Sequence, residues 1–276
     1  MQIDAAAERK YLVGLARAAG GALIFGLPLL MTMEMWSLGL YMSDLRLALL
    51  LAVLMPALVA LSHFVGFEPT FELREDALDA LAALAVGFAT AAAILFVFGV
   101  IGPGMALAEI VGKTALQAAP ASLGALLAQS QLAASAREER EVHTDPKGYG
   151  GHLFIMGVGA LFLAFNLAPT EEMVLIAHMM TAWHACALVL VSVAVMHAFV
   201  YSVEFAGQAQ VPEGSTMLKV FLRFTVAGYG IALLISAYIL WTFGRTAGLD
   251  DAQIVKATIV LGFPSAVGAA AARLIL

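Results

Sequence analysis

Two glutamates occur within apolar sequence in the same short pattern, Thr-X-Glu-Met, which begins at Thr32 and again at Thr170. An acidic side chain in an apolar segment usually faces the interior of a helix bundle or a water-filled path. Carboxylate and hydroxyl oxygens are the ligands that hard cations such as Ca²⁺ prefer. We therefore predict a cation site formed mainly by Glu34 and Glu172. Its predicted secondary ligands are Glu171, Thr32 and Thr170.

A simpler interpretation exists for the second pattern. Glu171 and Glu172 follow Pro169 and Thr170, which predict a helix break and an N-cap. Acidic side chains in the first turn of a helix are stabilised by the positive end of its dipole without any further role. This interpretation explains Glu34 poorly, because no adjacent proline or glycine signals a break, and we expect a continuous helix there.

Two prolines occupy corresponding positions late in the two halves of the chain. Pro120 and Pro264 follow Thr114 and Thr258 by six residues, and each precedes a glycine by four. A proline inside a membrane span frees a backbone carbonyl and kinks the helix. We predict that the prolines shape a path to which the threonine hydroxyls contribute. A simple packing kink, with the threonines bonded back to their own helices, is the alternative.

Two further sets of polar residues accompany the glutamates. His178 lies about two helical turns beyond Glu171 and Glu172, so it is a candidate for a proton relay. Glu109 and Lys113 are spaced i to i+4, which predicts an ion pair. The chain has no GxSxG, HExxH or phosphate-binding glycine loop and no Cys/His ligand cluster, so we expect neither an enzyme nor a cofactor.

The repeated pattern belongs to a duplication of roughly half the chain. Residues 21–35 match 159–173 at seven of fifteen positions, and residues 110–128 match 254–272 at seven of nineteen. The two offsets, 138 and 144 residues, nearly agree. Such a duplication is typical of membrane channels and transporters built from two homologous halves.

The composition indicates a protein that resides in a lipid bilayer. Hydrophobic residues make up 62% of the 276 residues and charged residues only 12%, and the mean hydropathy is +0.93. Both values are far from those of soluble domains. The net charge of −6 comes without a basic tract, which excludes a nucleic-acid partner.

The apolar runs predict an all-α protein with eight membrane-spanning helices, because a span needs about 20 mostly apolar residues. The predicted spans are Ala18–Tyr41, Leu45–Phe67, Ala77–Ile101, Met105–Leu132, Gly151–Ala168, Met173–Phe205, Leu218–Phe243 and Gln253–Leu276. They form two four-helix repeats, residues 1–134 and 151–276, joined by a cytoplasmic linker at 135–150. Polar composition also predicts a solvent-exposed connector at Glu68–Asp79.

The distribution of lysine and arginine predicts the topology. With a cytoplasmic N-terminus, ten of the fourteen basic residues lie on the inner side, as the positive-inside rule requires. Both termini are then cytoplasmic. Four spans per repeat give the two halves the same orientation, related by an axis along the membrane normal.

The early segment GALIFGLPLLMTMEMW and the late segment GFPSAVGAAAA, in a chain of this length, resemble a family of bacterial integral membrane proteins of unknown function. The resemblance implies a bacterial inner-membrane location. It implies no activity, and no site residue is carried over from it.

The sequence thus predicts transport of a small inorganic cation, Ca²⁺ before others, through a path at the repeat interface. A channel and a cation/proton exchanger both fit, and a homo-oligomer would multiply the carboxylates. A non-transporting intramembrane accessory protein and a small-molecule or lipid transporter are the alternatives.

Overall fold

The computed structural model describes residues 5–65, 73–132, 148–201 and 217–275. Within those ranges the regular elements are helical and none is a strand, which confirms the predicted all-α class. The chain divides into two compact units, Met1–Asp145 and Pro146–Leu276. Most of the predicted linker at 135–150 lies outside the described residues.

Both units follow the same order of elements in their described ranges. The first unit contains α1 (Ala5–Leu30), α2 (Met33–Tyr41), α3 (Asp44–Val65), α4 (Leu73–Val97) and α5 (Leu107–Leu132). The second contains α6 (Tyr149–Leu167), α7 (Glu172–Met179), α8 (Ala182–Tyr201), α9 (Met217–Val220), the π-helical segment Phe221–Val226, α10 (Ala227–Thr242) and α11 (Asp251–Ile275). Each unit therefore has a long helix, a short helix and three further long helical segments. The relative orientation of the two halves stays a prediction.

Eight helices among the described residues are long and apolar enough to cross a membrane, as predicted. They are Leu12–Leu30, Asp44–His63, Leu73–Val97, Leu107–Ala128, Tyr149–Leu167, Ala182–Phe199, Leu218–Thr242 and Asp251–Leu274. The first and sixth predicted spans were too long, because each run contains a helix break. The short helices α2 and α7 lie outside the eight spans.

The prediction of a continuous helix through Glu34 is wrong. Helix α1 ends at Leu30, and Thr32 adopts an extended conformation with φ −97° and ψ 115° before α2 begins. Pro28 lacks the N–H group that would bond to the preceding turn, which weakens the end of α1. The Thr32 hydroxyl donates to the Pro28 carbonyl. The signal for the break was thus a proline six residues before Glu34.

The sixth run is divided at Met180 and Thr181, which lie between α7 and α8. The Thr181 hydroxyl accepts a hydrogen bond from the backbone amide of His184 at 3.4 Å, and the Thr181 amide donates to the His184 ring at 3.3 Å. This reciprocal arrangement is that of a capping box, with histidine in place of the usual glutamate. It satisfies donors that would otherwise be unpaired at the start of the helix.

Helix α5 is the central helix of the first unit. It has the lowest mean hydropathy of the eight candidate spans, 1.2, and 83% of that span is buried inside the unit. It packs against α1, α2, α3 and α4. Since neighbouring helices cover α5, its small and polar side chains are shielded from the hydrocarbon. Helix α11 packs in the second unit against α6, α7, α8 and α10.

Paired glycines allow these central helices to touch the first long helix of each unit. A methyl group at Gly21 would overlap the Gly124 carbonyl, and one at Gly124 would overlap the Gly21 carbonyl. Gly159 and Gly268 meet in the same reciprocal way in the second unit. These are the positions matched by the two duplicated segments, so the duplication preserves a backbone-to-backbone crossing of small residues.

We expect Gly21→Ala to destabilise the protein, because the added methyl group would force α1 away from α5. Overpacking of this kind costs about 1–3 kcal/mol. At the neighbouring Gly20, no described neighbour comes within 4 Å of the position that a Cβ atom would take. Gly20→Ala is therefore the matched control, and it should be neutral or stabilising because alanine has the better helix propensity. Thermal unfolding of both variants in detergent measures the difference. Equal melting temperatures would contradict the close crossing.

Candidate functional site

Glu34 lies immediately after the break in the first unit. It is the second residue of α2, and its side chain is half-buried. The preceding membrane-length span ends at Leu30, so the carboxylate lies beyond the span and not in its middle. In the first turn of α2 it meets the positive end of the helix dipole.

The corresponding break in the second unit carries two acids. Glu172 is the first residue of α7 and is exposed, while Glu171 precedes it with a side chain that is 86% exposed. The Thr170 hydroxyl lies 2.9 Å from the Leu167 carbonyl and also hydrogen-bonds the Glu172 carboxylate. The predicted break and the acidic first turn are therefore present here, but the N-cap residue is Glu171 and not Thr170.

The two breaks belong to different units, so the predicted pairing of Glu34 with Glu172 stays a prediction. The two breaks have the same local sequence, because each contains a threonine that is followed two residues later by a glutamate. No group of three or more His, Cys, Asp or Glu side chains suited to a metal ion occurs in the described part of the chain.

Arg245 contacts the second break, and no pattern in the sequence had pointed to it. Its guanidinium donates to the Pro169 carbonyl and lies 3.8 Å from the Glu171 carboxylate. The side chain is only 19% exposed. Arg245 therefore satisfies a carbonyl in the break and partly neutralises the acids that follow it.

A left-handed glycine positions Arg245. Helix α10 ends at Thr242 with Phe243 as its C-cap. Gly244 follows with φ +74°, and the Arg245 amide donates to the Leu240 carbonyl at 2.8 Å. The first unit repeats this arrangement with Gly99 and Val100. The repeated Phe-Gly pair was a visible signal for this C-cap, but nothing in it indicated which carbonyl the arginine would reach.

Lys113 is a buried cation of the first unit. Its ammonium donates to the Glu109 carboxylate at 2.7 Å and to the Val100 carbonyl at 3.3 Å, which confirms the predicted Glu109–Lys113 ion pair. Lys113 also packs against Gly39 of α2, whose missing side chain makes room for it. An open groove of about 400 Å³ passes Lys113, Trp36 and Phe98 on this side of the unit.

The carbonyls at the end of α1 are already bonded to protein donors. Trp36 donates from its indole nitrogen to the Leu30 carbonyl at 2.8 Å, and Gln117 donates to the Leu29 carbonyl at 3.1 Å. Gln117 is fully buried, and no pattern in the sequence indicated that it bonds to the end of α1. The Leu29 carbonyl also accepts a hydrogen bond from the Thr32 amide at 3.0 Å, so both of its lone pairs are engaged.

The residues predicted to shape a path are more deeply buried in the first unit than in the second. Pro120 and Thr114 are buried on α5, and the Thr114 hydroxyl has no hydrogen-bond partner among the described residues. Pro264 and Thr258 are half-buried on α11. The path itself stays a prediction.

His178 occupies the last turn of α7 and is exposed. Its Nδ1 bonds to the Val174 carbonyl of the preceding turn at 2.9 Å. That contact orients the imidazole along its own helix. The proton relay with the neighbouring glutamates stays a prediction.

The described part of the predicted connector at Glu68–Asp79 is helical and not a loop, although Leu73, Arg74 and Glu75 are exposed as expected. Helix α4 begins at Leu73, and Asp76 is only 4% exposed because it packs beneath the end of α3. Its carboxylate lies 3.3 Å from Nδ1 of His63. Acidic composition indicated a loop here, yet acids in a first turn equally suit a helix start.

The pKa of the Glu172 carboxyl is lowered from its ordinary value of 4.5. The main cause is a hydrogen bond from its own backbone amide, followed by the Thr170 hydroxyl, and the charge of Arg245 adds a smaller contribution. These effects outweigh an opposing effect of desolvation. The lowered pKa therefore keeps the carboxylate ionised at more acidic pH than usual.

Comparison with known proteins places the whole membrane region in one family. Residues 14–276 match the family described as "Putative integral membrane protein (DUF2391)". The chain belongs to the DUF2391 family. It is thus a multi-pass integral membrane protein, in agreement with the resemblance stated from the sequence and with its eight membrane-length helices. No curated protein and no solved structure matches the chain.

We expect Glu172→Gln to change how stability depends on pH. A carboxyl whose pKa is lower in the folded protein than in the unfolded chain contributes stability that is present above the unfolded pKa. That contribution is lost as the pH falls through the lowered pKa of the folded protein. Melting temperatures measured in detergent between neutral and acidic pH should fall more steeply below pH 4.5 for the wild type than for the variant.

Arg245→Gln is the companion variant, since it removes one of the three groups that lower the Glu172 pKa. Its profile should lie between those of the wild type and Glu172→Gln. Superimposable profiles for the wild type and Glu172→Gln would show that the carboxylate is not held by these contacts.

Proposed function

We propose that this protein transports a small inorganic cation across the membrane, with Glu34 and Glu172 as its principal carboxylate ligands. The observation that supports the proposal is that both units contain the same local structure, a helix break and then a short helix with a glutamate in its first turn. Discontinuous helices are where transporters expose backbone oxygens to ions. Glu171 is the helper in the second unit.

The threonines in the breaks are suited to act as further ligands. Thr32 donates its hydroxyl hydrogen to the Pro28 carbonyl, and Thr170 lies within hydrogen-bond distance of the Leu167 carbonyl. A hydroxyl that donates to a carbonyl keeps its own lone pairs for another partner. Hydroxyl, carboxylate and carbonyl oxygens together form a donor set for a hard cation, and Ca²⁺ is favoured because carboxylates predominate.

The charges near each break leave one carboxylate in excess. In the second unit Glu171 and Glu172 face the single charge of Arg245. In the first unit Lys113 is paired with Glu109, which leaves Glu34 on the adjacent short helix. A site with excess negative charge favours a cation over an anion.

The proposal includes the location and topology derived from the sequence. We infer a bacterial inner membrane, because the family resemblance implies it, and cytoplasmic termini, because ten of fourteen basic residues then lie inside. A channel and a cation/proton exchanger are both consistent with the proposal.

The contacts of Glu172 favour a second candidate, a non-transporting intramembrane accessory protein. In that case the backbone amide, the Thr170 hydroxyl and Arg245 hold the carboxylate as a helix cap. The capped acids would then stabilise the break and bind no ion.

We expect purified protein in liposomes to carry Ca²⁺, K⁺ or Na⁺ and the double variant Glu34→Gln and Glu172→Gln to lose that flux by about tenfold or more, because both principal carboxylate ligands of the cation would then be neutral. Ion-selective dyes inside the liposomes measure the flux. Both substitutions keep side-chain volume and hydrogen-bonding capacity, so the change reports on charge.

Glu75→Gln is the matched control, because Glu75 also lies in an acidic first turn, that of α4, and is exposed. It should leave the flux unchanged. Normal flux in the double variant would remove Glu34 and Glu172 as ligands. Absence of any cation flux in the wild type would instead support the accessory candidate.

A further inference from the structure

A groove with two methionines and a histidine in its wall lies at the break between α7 and α8. Its volume is about 420 Å³, and its remaining wall is aliphatic. The residues that line it are Met179, Met180, His184, Ile176, Ala187, Leu188 and Val191. The sixth membrane-length span begins at Ala182, so the groove lies at the end of a span, where ions from the water can reach it. We call it the methionine–histidine groove.

Two contacts with Thr181 hold the His184 ring next to Met180. Nδ1 of His184 lies 3.3 Å from the Thr181 amide nitrogen and 2.9 Å from the Thr181 hydroxyl. That amide nitrogen is bonded directly to the carbonyl carbon of Met180, so Nδ1 lies no more than about 6 Å from the Met180 Cα atom. A methionine side chain, with three rotatable bonds, spans such a distance.

The end of α7 brings two thioether groups to the same groove. Met179 is the last residue of the helix, and Met180 is its C-cap, with an extended backbone at φ −79° and ψ 133°. Both side chains line the groove, and Met179 is 75% exposed. Because methionine is unbranched and flexible, both sulfur atoms can turn towards the imidazole while the backbone stays in place.

These three donors are soft or intermediate, and they carry no charge when the imidazole is neutral. Thioether sulfur selects Cu(I), and imidazole also binds copper. Among the described residues that line the groove none is a carboxylate, the ligand type that Ca²⁺ requires. A cluster of His, Cys, Asp or Glu is not needed for such a site, since two of its three donors are methionines. Neutral ligands in an apolar wall therefore favour a soft monovalent ion.

The Thr181 hydroxyl is placed to orient the imidazole for a metal ion. A metal-bound histidine usually donates its other ring N–H to a neighbouring acceptor. With its proton on Nδ1, His184 donates to the Thr181 hydroxyl at 2.9 Å and presents the Nε2 lone pair to the metal. The bond from the Thr181 amide is then given up, whereas the bond from the His184 amide to the hydroxyl remains.

The first unit provides an internal comparison. Met42 is the C-cap of α2, and the C-cap of α7 is also a methionine, 138 residues later. At the same spacing Tyr41 corresponds to Met179, and Arg46 corresponds to His184. The first unit thus keeps one methionine at this place but lacks the second thioether and the imidazole. The complete donor set is specific to the second unit.

We propose that Met179, Met180 and His184 form a binding site for Cu(I). The two thioether sulfur atoms and Nε2 of the imidazole are the ligands, and Thr181 orients the ring. The site is separate from the proposed glutamate ligands, and the proposal does not rest on them.

The test is an anaerobic titration of the purified full-length protein in detergent with Cu(I), in competition with the chromogenic chelator bicinchoninate. We expect the wild type to take a single Cu(I) per chain from the chelator. His184→Gln should weaken binding by at least the roughly 10–100-fold that loss of an outer-shell partner costs. Glutamine at this position keeps the capping box with Thr181, so the start of α8 is preserved.

The double variant Met179→Leu and Met180→Leu removes both sulfur atoms. It should weaken Cu(I) binding at least as much as His184→Gln, because two of the three ligands are lost. Leucine and methionine have similar volumes, so the exchange is well tolerated by the fold.

Met42→Leu is the matched control, because it removes the corresponding methionine of the first unit. Cys186→Ser is the second control, because Cys186 is an exposed free thiol two residues after His184. Both variants should keep the affinity of the wild type, and excess Ca²⁺ should leave Cu(I) bound.

The proposal is overturned if the wild type takes no Cu(I) from the chelator, or if His184→Gln or the double methionine variant binds Cu(I) like the wild type. It is also overturned if either control weakens binding as much as His184→Gln, or if Ca²⁺ displaces the ion. These outcomes are independent of the liposome flux, so failure of this site leaves the glutamate proposal to its own test.

Discussion

The fold depends on one packing constraint, the contact between paired glycine backbones at Gly21 with Gly124 and at Gly159 with Gly268. Lipid tails are as apolar as leucine, so helices in a membrane associate through close packing and not through exclusion of water. The glycine contact holds the last helix of each unit against the first. That places α5 at the centre of its unit, where side chains such as Gln117 and Ser122 are buried by protein.

The central helices in turn support the short helices that follow each break. In the first unit α5 reaches α2 through Lys113 and Gly39, whereas in the second unit Arg245 reaches the break from the loop after α10. The two units thus supply a cation near the short helix from different places in the chain. Lys113 is paired with Glu109 in the first unit, whereas Arg245 lies close to Glu171 in the second unit and partly neutralises it.

The helix break before the glutamate was predicted in the second unit but not in the first. Pro169 directly before Thr170 predicted the second break, while Pro28 was too far from Glu34 to be recognised as the cause of the first. A proline destabilises the turn around it, but where the chain then leaves the helix depends on what the next residues can pack against. Here Met35 and the Trp36 indole both find partners only because α2 turns away from α1.

The sequence by itself determined the membrane environment, the helical class, the number of spans and the Glu109–Lys113 pair. These follow from hydropathy and from spacing within a helix, which are local properties. Only the tertiary structure decided that Arg245 bonds to Pro169 and that Asp76 is buried under α3. Such contacts join residues far apart in the chain, and their geometry exists only after the helices have packed.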